Sequence, residues 1–265
     1  MTHIESRQNS TLRHLARLAR DKKYRKTTGE MACEGEKLLA EAFASGARVK
    51  TVLLRKCGEP DSLLRELLLR AEEQGASLFS AEPHLFALAS DVETPQNVIF
   101  SCEIPVFSGE LPPVSTAMLL DGLQDPGNLG TVIRTAEAFG LDALILCEGC
   151  VDPSSPKVLR ATMGAIFRQP LYKLPLDTAA KSLRAQGLPL YAAALHTDSL
   201  PITSLDLNRC AVVIGSEGHG VRPETLDICD KSIIIPMAGR AESLNAGVAA
   251  SLLIWEMQKA RSRIS

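Results

Sequence analysis

Residues 117–140 read AMLLDGLQDPGNLGTVIRTAEAFG. The opening AMLLDG is apolar without alternation, which suits a central parallel strand buried on both faces. Asp125-Pro126-Gly127-Asn128 is a turn signal, and GNLGTVIRTAEAFG has helical spacing, so the stretch predicts strand, polar turn and helix in succession. Strand-like and helical runs continue to alternate downstream, without an internal repeat. Strands are predicted at LILCE (144–148), LPLYAAAL (188–195), AVVIGS (211–216) and SIIIP (232–236), with a further one near QPLYKLP (169–175). Helices fit SPKVLRATMGA (155–165), TAAKSLRAQG (178–187) and SLNAGVAASLLIWEMQKAR (243–261). Strands alternating with helices predict an α/β layer structure with a parallel sheet.

Upstream the same alternation holds, with strands predicted at MACEG (31–35), VKTVLLR (49–55), SLFS (77–80) and NVIFSC (97–102). Helical runs lie between them, two of them stopped by Gly46 and Gly75. The stretch EIPVFSGELPPVST (103–116) holds three prolines and no periodicity and reads as a linker. We therefore divide the 265 residues into two domains, 1–106 and 107–265, in line with a prior of roughly 150 residues per domain.

A composition of 45% hydrophobic and 23% charged residues excludes a disordered or collagen-like chain. No apolar run reaches the roughly 18 residues of a membrane span, and the polar start lacks the apolar core of a signal peptide, so a cytoplasmic location without a membrane partner is expected. The seven cysteines are odd in number and scattered. Cys147-Glu-Gly-Cys150 closes a predicted strand with no further Cys or His nearby to complete four ligands, so reduced thiols and no metal are expected.

Charge is unevenly spread. Residues 1–56 carry 13 Lys and Arg against 6 Asp and Glu, and the remainder 16 against 25. Arg13, Arg17, Arg20, Lys22, Lys23, Arg25 and Lys26 cluster, while Leu12, Leu15, Leu18 and Ala19 mark the opposite face of a predicted helix. Such a face suits the phosphates of RNA or DNA; a merely solvated helix surface has the same pattern. With aromatic residues at 4% and only Tyr24 nearby, stacking of splayed bases has little support there.

Three polar, glycine-containing segments follow strands of the second half, where ligands of open α/β sheets bind. The first is the 125–128 turn, whose following helix carries Arg134; a surface ion pair with Glu137 or Asp142 is the plainer reading of that arginine. The second is Gly215-Ser216-Glu217-Gly218-His219-Gly220. It lacks the GxGxxG spacing of a dinucleotide fold and the GxSxG of a serine hydrolase. The third runs from Ile235 to Asn245, and Ser243 there is a natural N-cap for the last helix.

Taken in order, DPGNLGTVIRTAEAFG, IGSEGHGV and IPMAGRAESLNAGVAASLLIWE closely resemble the three motifs of the SpoU (TrmH) family of RNA ribose 2′-O-methyltransferases, within the SPOUT superfamily. The match covers about residues 117–258. The first hundred residues look like the small substrate-binding domain of these enzymes, chiefly through Glu34-Gly35 and the Leu38-Leu39 helix.

The resemblance implies an S-adenosyl-L-methionine-dependent enzyme with a C-terminal trefoil-knotted parallel-sheet domain and a smaller N-terminal α/β substrate-binding domain. It implies cofactor contacts from Ala194, Leu195, Gly215, Gly218, Ile235, Met237 and Leu244. It implies catalytic roles for Asn128, Arg134, Glu217, Ser243 and Asn245, with Asn128 and Asn245 positioning Arg134 and the ribose. A homodimer completing the site is also implied. RNA is the expected substrate, ribosomal (23S) RNA being favoured over tRNA by the size and type of the N-terminal domain. The alternatives are a tRNA 2′-O-methyltransferase, an RNA-binding or ribosome-assembly factor without catalysis, and, least supported, an NAD-type oxidoreductase.

Overall fold

A computed structural model describes residues 1–107, 109–195, 198–240 and 242–262. The chain forms two compact units, Met1–Pro105 with Asp152–Phe167, and Val106–Val151 with Arg168–Ser265.

In the first unit, β1 (Thr2–Ile4), α1 (Ser10–Arg20), α2 (Lys22–Thr28), β2 (Glu30–Glu34), α3 (Glu36–Ala44), β3 (Val49–Arg55), α4 (Ser62–Glu73), β4 (Ser77–Ala81), α5 (Pro83–Phe86) and β5 (Val98–Glu103) follow in order. The sheet order is β1-β4-β3-β5-β2. It is mixed: β1, β4 and β3 run parallel, whereas β5 is antiparallel to both β3 and β2. Leu12 and Leu15 of α1 pack with Leu53, Phe86 and Ile99 into an apolar core, as the leucine spacing predicted.

The expected single basic helix is in fact two. Asn9 caps α1 by accepting from the Thr11 and Leu12 amides. The chain then turns extended at Asp21, whose carboxylate caps α2 through Tyr24 N. An Asx residue offers its own side chain to the backbone and so favours such a break.

The second unit begins with β6 (Thr116–Leu120), α6 (Pro126–Ala138) and β7 (Ala143–Leu146). The following stretch, with α7 (Pro156–Thr162) and a 3-10 turn at Ala165–Phe167, belongs to the first unit. The second unit resumes with β8 (Leu171–Lys173), α8 (Leu176–Ala185), β9 (Leu190–Ala193), β10 (Leu200–Pro201), β11 (Cys210–Ile214), α9 (Pro223–Asp227), β12 (Lys231–Ile234) and α10 (Ala246–Ser262). Segment 152–167 thus departs from a continuous division at 106/107. It is held by an ion pair from buried Arg25 to Asp152 at 2.7 Å and another from Arg160 to Asp91 at 2.7 Å, long-range contacts that no local pattern encodes.

All seven strands of the second sheet are parallel, in the order β10-β12-β9-β11-β6-β7-β8. Strands β6, β7 and β11 are buried along their whole length, which is why they read as unbroken apolar runs. Register levels their carboxyl ends: Leu120 lies opposite both Ile214 and Leu146. The chain therefore leaves three neighbouring strands at the same height.

Candidate active site at the carboxyl edge of the parallel sheet

Instead of forming a free turn, Asp125 is the N-cap of α6, accepting from Asn128 N at 2.8 Å, with Pro126 in the first helical turn. Proline suits that position because its missing N–H would be unpaired there anyway. The cap orients Asn128, whose Nδ2 donates to Glu217 Oε1 at 2.9 Å. The same carboxylate accepts from Asp125 N at 3.1 Å and Gln124 N at 3.2 Å. Glu217 is thereby seated on the start of α6, where free N–H groups favour an anion. Partial burial pushes its pKa up, but the donors from Asn128 and the backbone prevail and hold it below the usual glutamate range.

Asn245 joins the group from α10. Its Oδ1 accepts from Val248 N at 3.1 Å and its carbonyl from Ala249 N at 2.8 Å, so Asn245, not Ser243, caps the last helix. The expectation for Ser243 fails by register: the helix starts at Ala246, and the cap is the residue immediately before it. Ser243 is exposed and makes no hydrogen bond among the described residues. Both asparagines close on Gly247: a methyl group built there would lie 3.1 Å from Asn128 Oδ1 and 3.2 Å from Asn245 Oδ1. Farther along, Thr135 and Ser251 share a hydrogen bond of 3.0 Å, and the rings of Phe139 and Trp255 sit 5.1 Å apart, so α6 and α10 pack side by side.

Beyond β11 the loop doubles back, with Ser216 and Gly220 exchanging backbone hydrogen bonds of 3.0 and 2.9 Å. A Cβ on Gly215 would stand 2.0 Å from the Gly220 backbone, so only glycine fits. Gly218 lies exposed beyond this crossing. Two residues that sequence reading passed over anchor the loop: Asp121, completely buried at the end of β6, and Arg222. The Arg222 guanidinium forks onto the Asp121 carboxylate at 2.5 and 3.0 Å, and Thr225 Oγ1 donates to it at 2.6 Å. An ionisable residue closing an apolar strand was the available signal, since a buried carboxylate requires a partner.

The cofactor candidates share this edge. Ala194 follows β9 and extends its pairing through a bond from its N–H to Ile233 O at 3.2 Å; Ile235 and Met237 follow the adjacent β12, and Gly215 follows β11 on the other side. Leu195 and Met237 are exposed apolar side chains at 58% and 36%, and Leu244, half-buried, leads into α10. Backbone turns hugging a glycine, flanked by exposed aliphatic groups, fit a nucleoside-bearing cofactor.

Arg134 stands apart. It is exposed on α6, two turns beyond Asn128, and makes no hydrogen bond or ion pair among the described residues. The ordinary surface pairings are closed to it: Glu137 is taken by Arg168 at 2.7 Å and Asp142 by Arg261 at 3.1 Å. Within one chain, therefore, Asn128 and Asn245 do not hold it.

In the first unit, the expected nucleic-acid face is partly spent on structure. Arg25 is a correction: it is 4% exposed, paired with Asp152 and donating to Leu18 O at 2.7 Å. Arg20 donates to the carbonyls of Leu88 and Ser90, and Arg17 covers the Tyr24 ring at 4.2 Å while pairing with Asp21. Arg13, Lys22, Lys23 and Lys26 remain exposed without partners among the described residues. No three His, Cys, Asp or Glu side chains gather to hold a metal, and no helix is long and apolar enough to cross a membrane, among the described residues.

A parallel sheet whose carboxyl edge gathers a cofactor cradle and an asparagine–glutamate cluster defines a SPOUT-type methyltransferase domain. The chain belongs to the SpoU rRNA Methylase family, whose model matches residues 115–255, and the MRM3-like substrate binding domain model matches residues 9–99. It is similar to the 23S rRNA (guanosine(2553)-2′-O)-methyltransferase RlmP of Bacillus subtilis, 34% identical over 97% of this chain and 100% of the relative. Human mitochondrial rRNA methyltransferase 3 is 29% identical over 90% of this chain and 70% of its own. The AdoMet-bound rRNA methyltransferase of Sinorhizobium meliloti superposes with a TM-score of 0.87 at 27% identity, covering 100% and 98% of the two chains. AviRb of Streptomyces viridochromogenes with AdoMet gives 0.82 at 28%, covering 97% and 99%. The protein is an S-adenosylmethionine-dependent RNA ribose 2′-O-methyltransferase.

Proposed function

We propose that the enzyme methylates a ribose 2′-hydroxyl in 23S rRNA, as a homodimer in which Arg134 meets the site of the partner. The observation that carries this reading is the Asn128–Glu217–Asn245 cluster at the sheet edge, with Arg134 exposed on the same helix as Asn128 and unpaired among the described residues. The full-length likeness to the Bacillus subtilis 23S rRNA enzyme supports the substrate. Val248, Leu252 and Trp255 of α10 are 47%, 39% and 46% exposed and follow helical spacing, an apolar stripe suited to a second copy.

When bound, AdoMet supplies an electrophilic methyl group on a sulfonium. The chain's part is to present the hydroxyl. Arg134 acts by charge, holding the neighbouring phosphate and stabilising negative charge as it grows on the 2′-oxygen. Asn128, held by Asp125 and Glu217, and Asn245, held as the cap of α10, lie beside Gly247 and position the ribose. RNA is gripped by Arg13, Lys22, Lys23 and Lys26, whereas Arg17, Arg20 and Arg25 shape the surface that carries them.

Primer extension at low nucleotide concentration on rRNA from cells with and without the protein is expected to show one lost stop in 23S rRNA. A missing stop in tRNA instead would overturn the substrate assignment. Arg134→Ala is expected to keep AdoMet affinity while methyl transfer falls by roughly a hundredfold or more, and sedimentation should give twice 28.5 kDa.

A further inference from the structure

The Asp121 carboxylate is fully buried, its side chain 0% exposed. Burying it is unfavourable unless it is fully paired, and here Arg222 and Thr225 supply every side-chain donor the structure shows. The pairing joins two points far apart in sequence, the end of β6 just before Gln124–Asn128 and the base of the 215–222 loop. Four residues past Asp121, α6 is capped; five residues before Arg222 stands Glu217. The segment from Glu217 to Arg222 is short, and it is closed by the paired Ser216–Gly220 backbone hydrogen bonds and by the close approach of Gly215 to the Gly220 backbone. Position at Arg222 is therefore transmitted to Glu217.

We infer that Asp121 and Arg222 are positioning residues for methyl transfer: their ion pair, buried at Asp121 and half-exposed at Arg222, sets the 215–222 loop so that the Glu217 carboxylate lands on Asn128 and the Gln124 and Asp125 amides. Neither touches substrate. The inference rests on the reading of Asn128 and Glu217 as active-site groups, and it adds a device in which a contact anchored on a buried carboxylate sets a second, exposed one at Glu217.

The test uses full-length Asp121→Asn, which preserves shape and removes charge, and Arg222→Lys, which preserves charge and removes the fork. Three quantities are measured for each: kcat for methyl transfer, melting temperature, and the titration of Glu217 followed by carboxyl carbon NMR. Expected is a fall in kcat of about tenfold or more, from a misplacement of an ångström or less, together with an upward move of the Glu217 midpoint as its donors are lost. A purely structural pair would change melting and leave that midpoint in place, which overturns the inference. Loss of rate with an unmoved midpoint overturns it too. A moved midpoint with unchanged rate confirms the clamp and instead refutes Glu217 as an active-site group. Should the Asp121→Asn variant not fold, Thr225→Val removes one donor only and is read the same way, with an expected loss of about threefold in kcat.

Discussion

Asn128 donates its side-chain amide to Glu217 across 2.9 Å, joining the first turn of α6 to the loop after β11. Asn128→Ala leaves Glu217 only backbone amides. A hydrogen bond to a charged group is worth about 1.5–3 kcal/mol, so kcat is expected to fall roughly 10- to 100-fold. Steady-state methyl transfer checks this, with AdoMet affinity by calorimetry unchanged.

The depressed Glu217 pKa has a definite consequence for pH. A carboxyl whose folded value lies below its unfolded one contributes stability above the unfolded value and loses it as pH falls through the folded one. The Glu217 contact is therefore complete at neutral pH and persists into mild acid, opening only below the usual glutamate range. In Asn128→Ala the NMR midpoint should rise; a wild-type midpoint above the ordinary value would contradict the geometry.

Asp152→Ala removes the partner of a buried guanidinium, with side-chain exposures of 5% for Arg25 and 13% for Asp152. Leaving a buried charge unpaired costs about 3–5 kcal/mol. Chemical denaturation should show the unfolding of the unit that holds both residues shifted accordingly, while Lys26→Ala, on the exposed face of α2, should stay within about 0.5 kcal/mol of wild type.

Gly247→Ala sets a methyl group 3.1–3.3 Å from Asn128 and Asn245 atoms. Helix propensity alone would favour alanine by roughly 1 kcal/mol. The new contacts with Asn128, one of them to its backbone, offset that gain, and the expected outcome is slower methyl transfer, measured at steady state beside the melting temperature, because the two asparagines must move apart.

Replacing Lys22, Lys23 and Lys26 by Glu should weaken RNA binding and reduce the slope of log affinity against log salt by about 2–3, at roughly 0.7–0.9 per lost phosphate contact. Melting should be unaffected. Arg20→Glu, in contrast, should lower the melting temperature through its bonds to the Leu88 and Ser90 carbonyls.

By itself, the sequence determined the α/β alternation, the parallel sheet and the three polar segments, because strands buried on both faces and glycine-bearing turns leave local patterns. It brought Asn128, Glu217 and Asn245 together only through family resemblance. Tertiary structure decided what each polar group does: that Arg25 is an internal strut, that Asn245 rather than Ser243 caps α10, that Arg134 is exposed and unpaired among the described residues, and that Asp121 meets Arg222. Residues 25 and 152, or 121 and 222, are about a hundred or more apart in the chain. A charge destined for burial looks like any surface charge until the fold supplies its partner and removes its water.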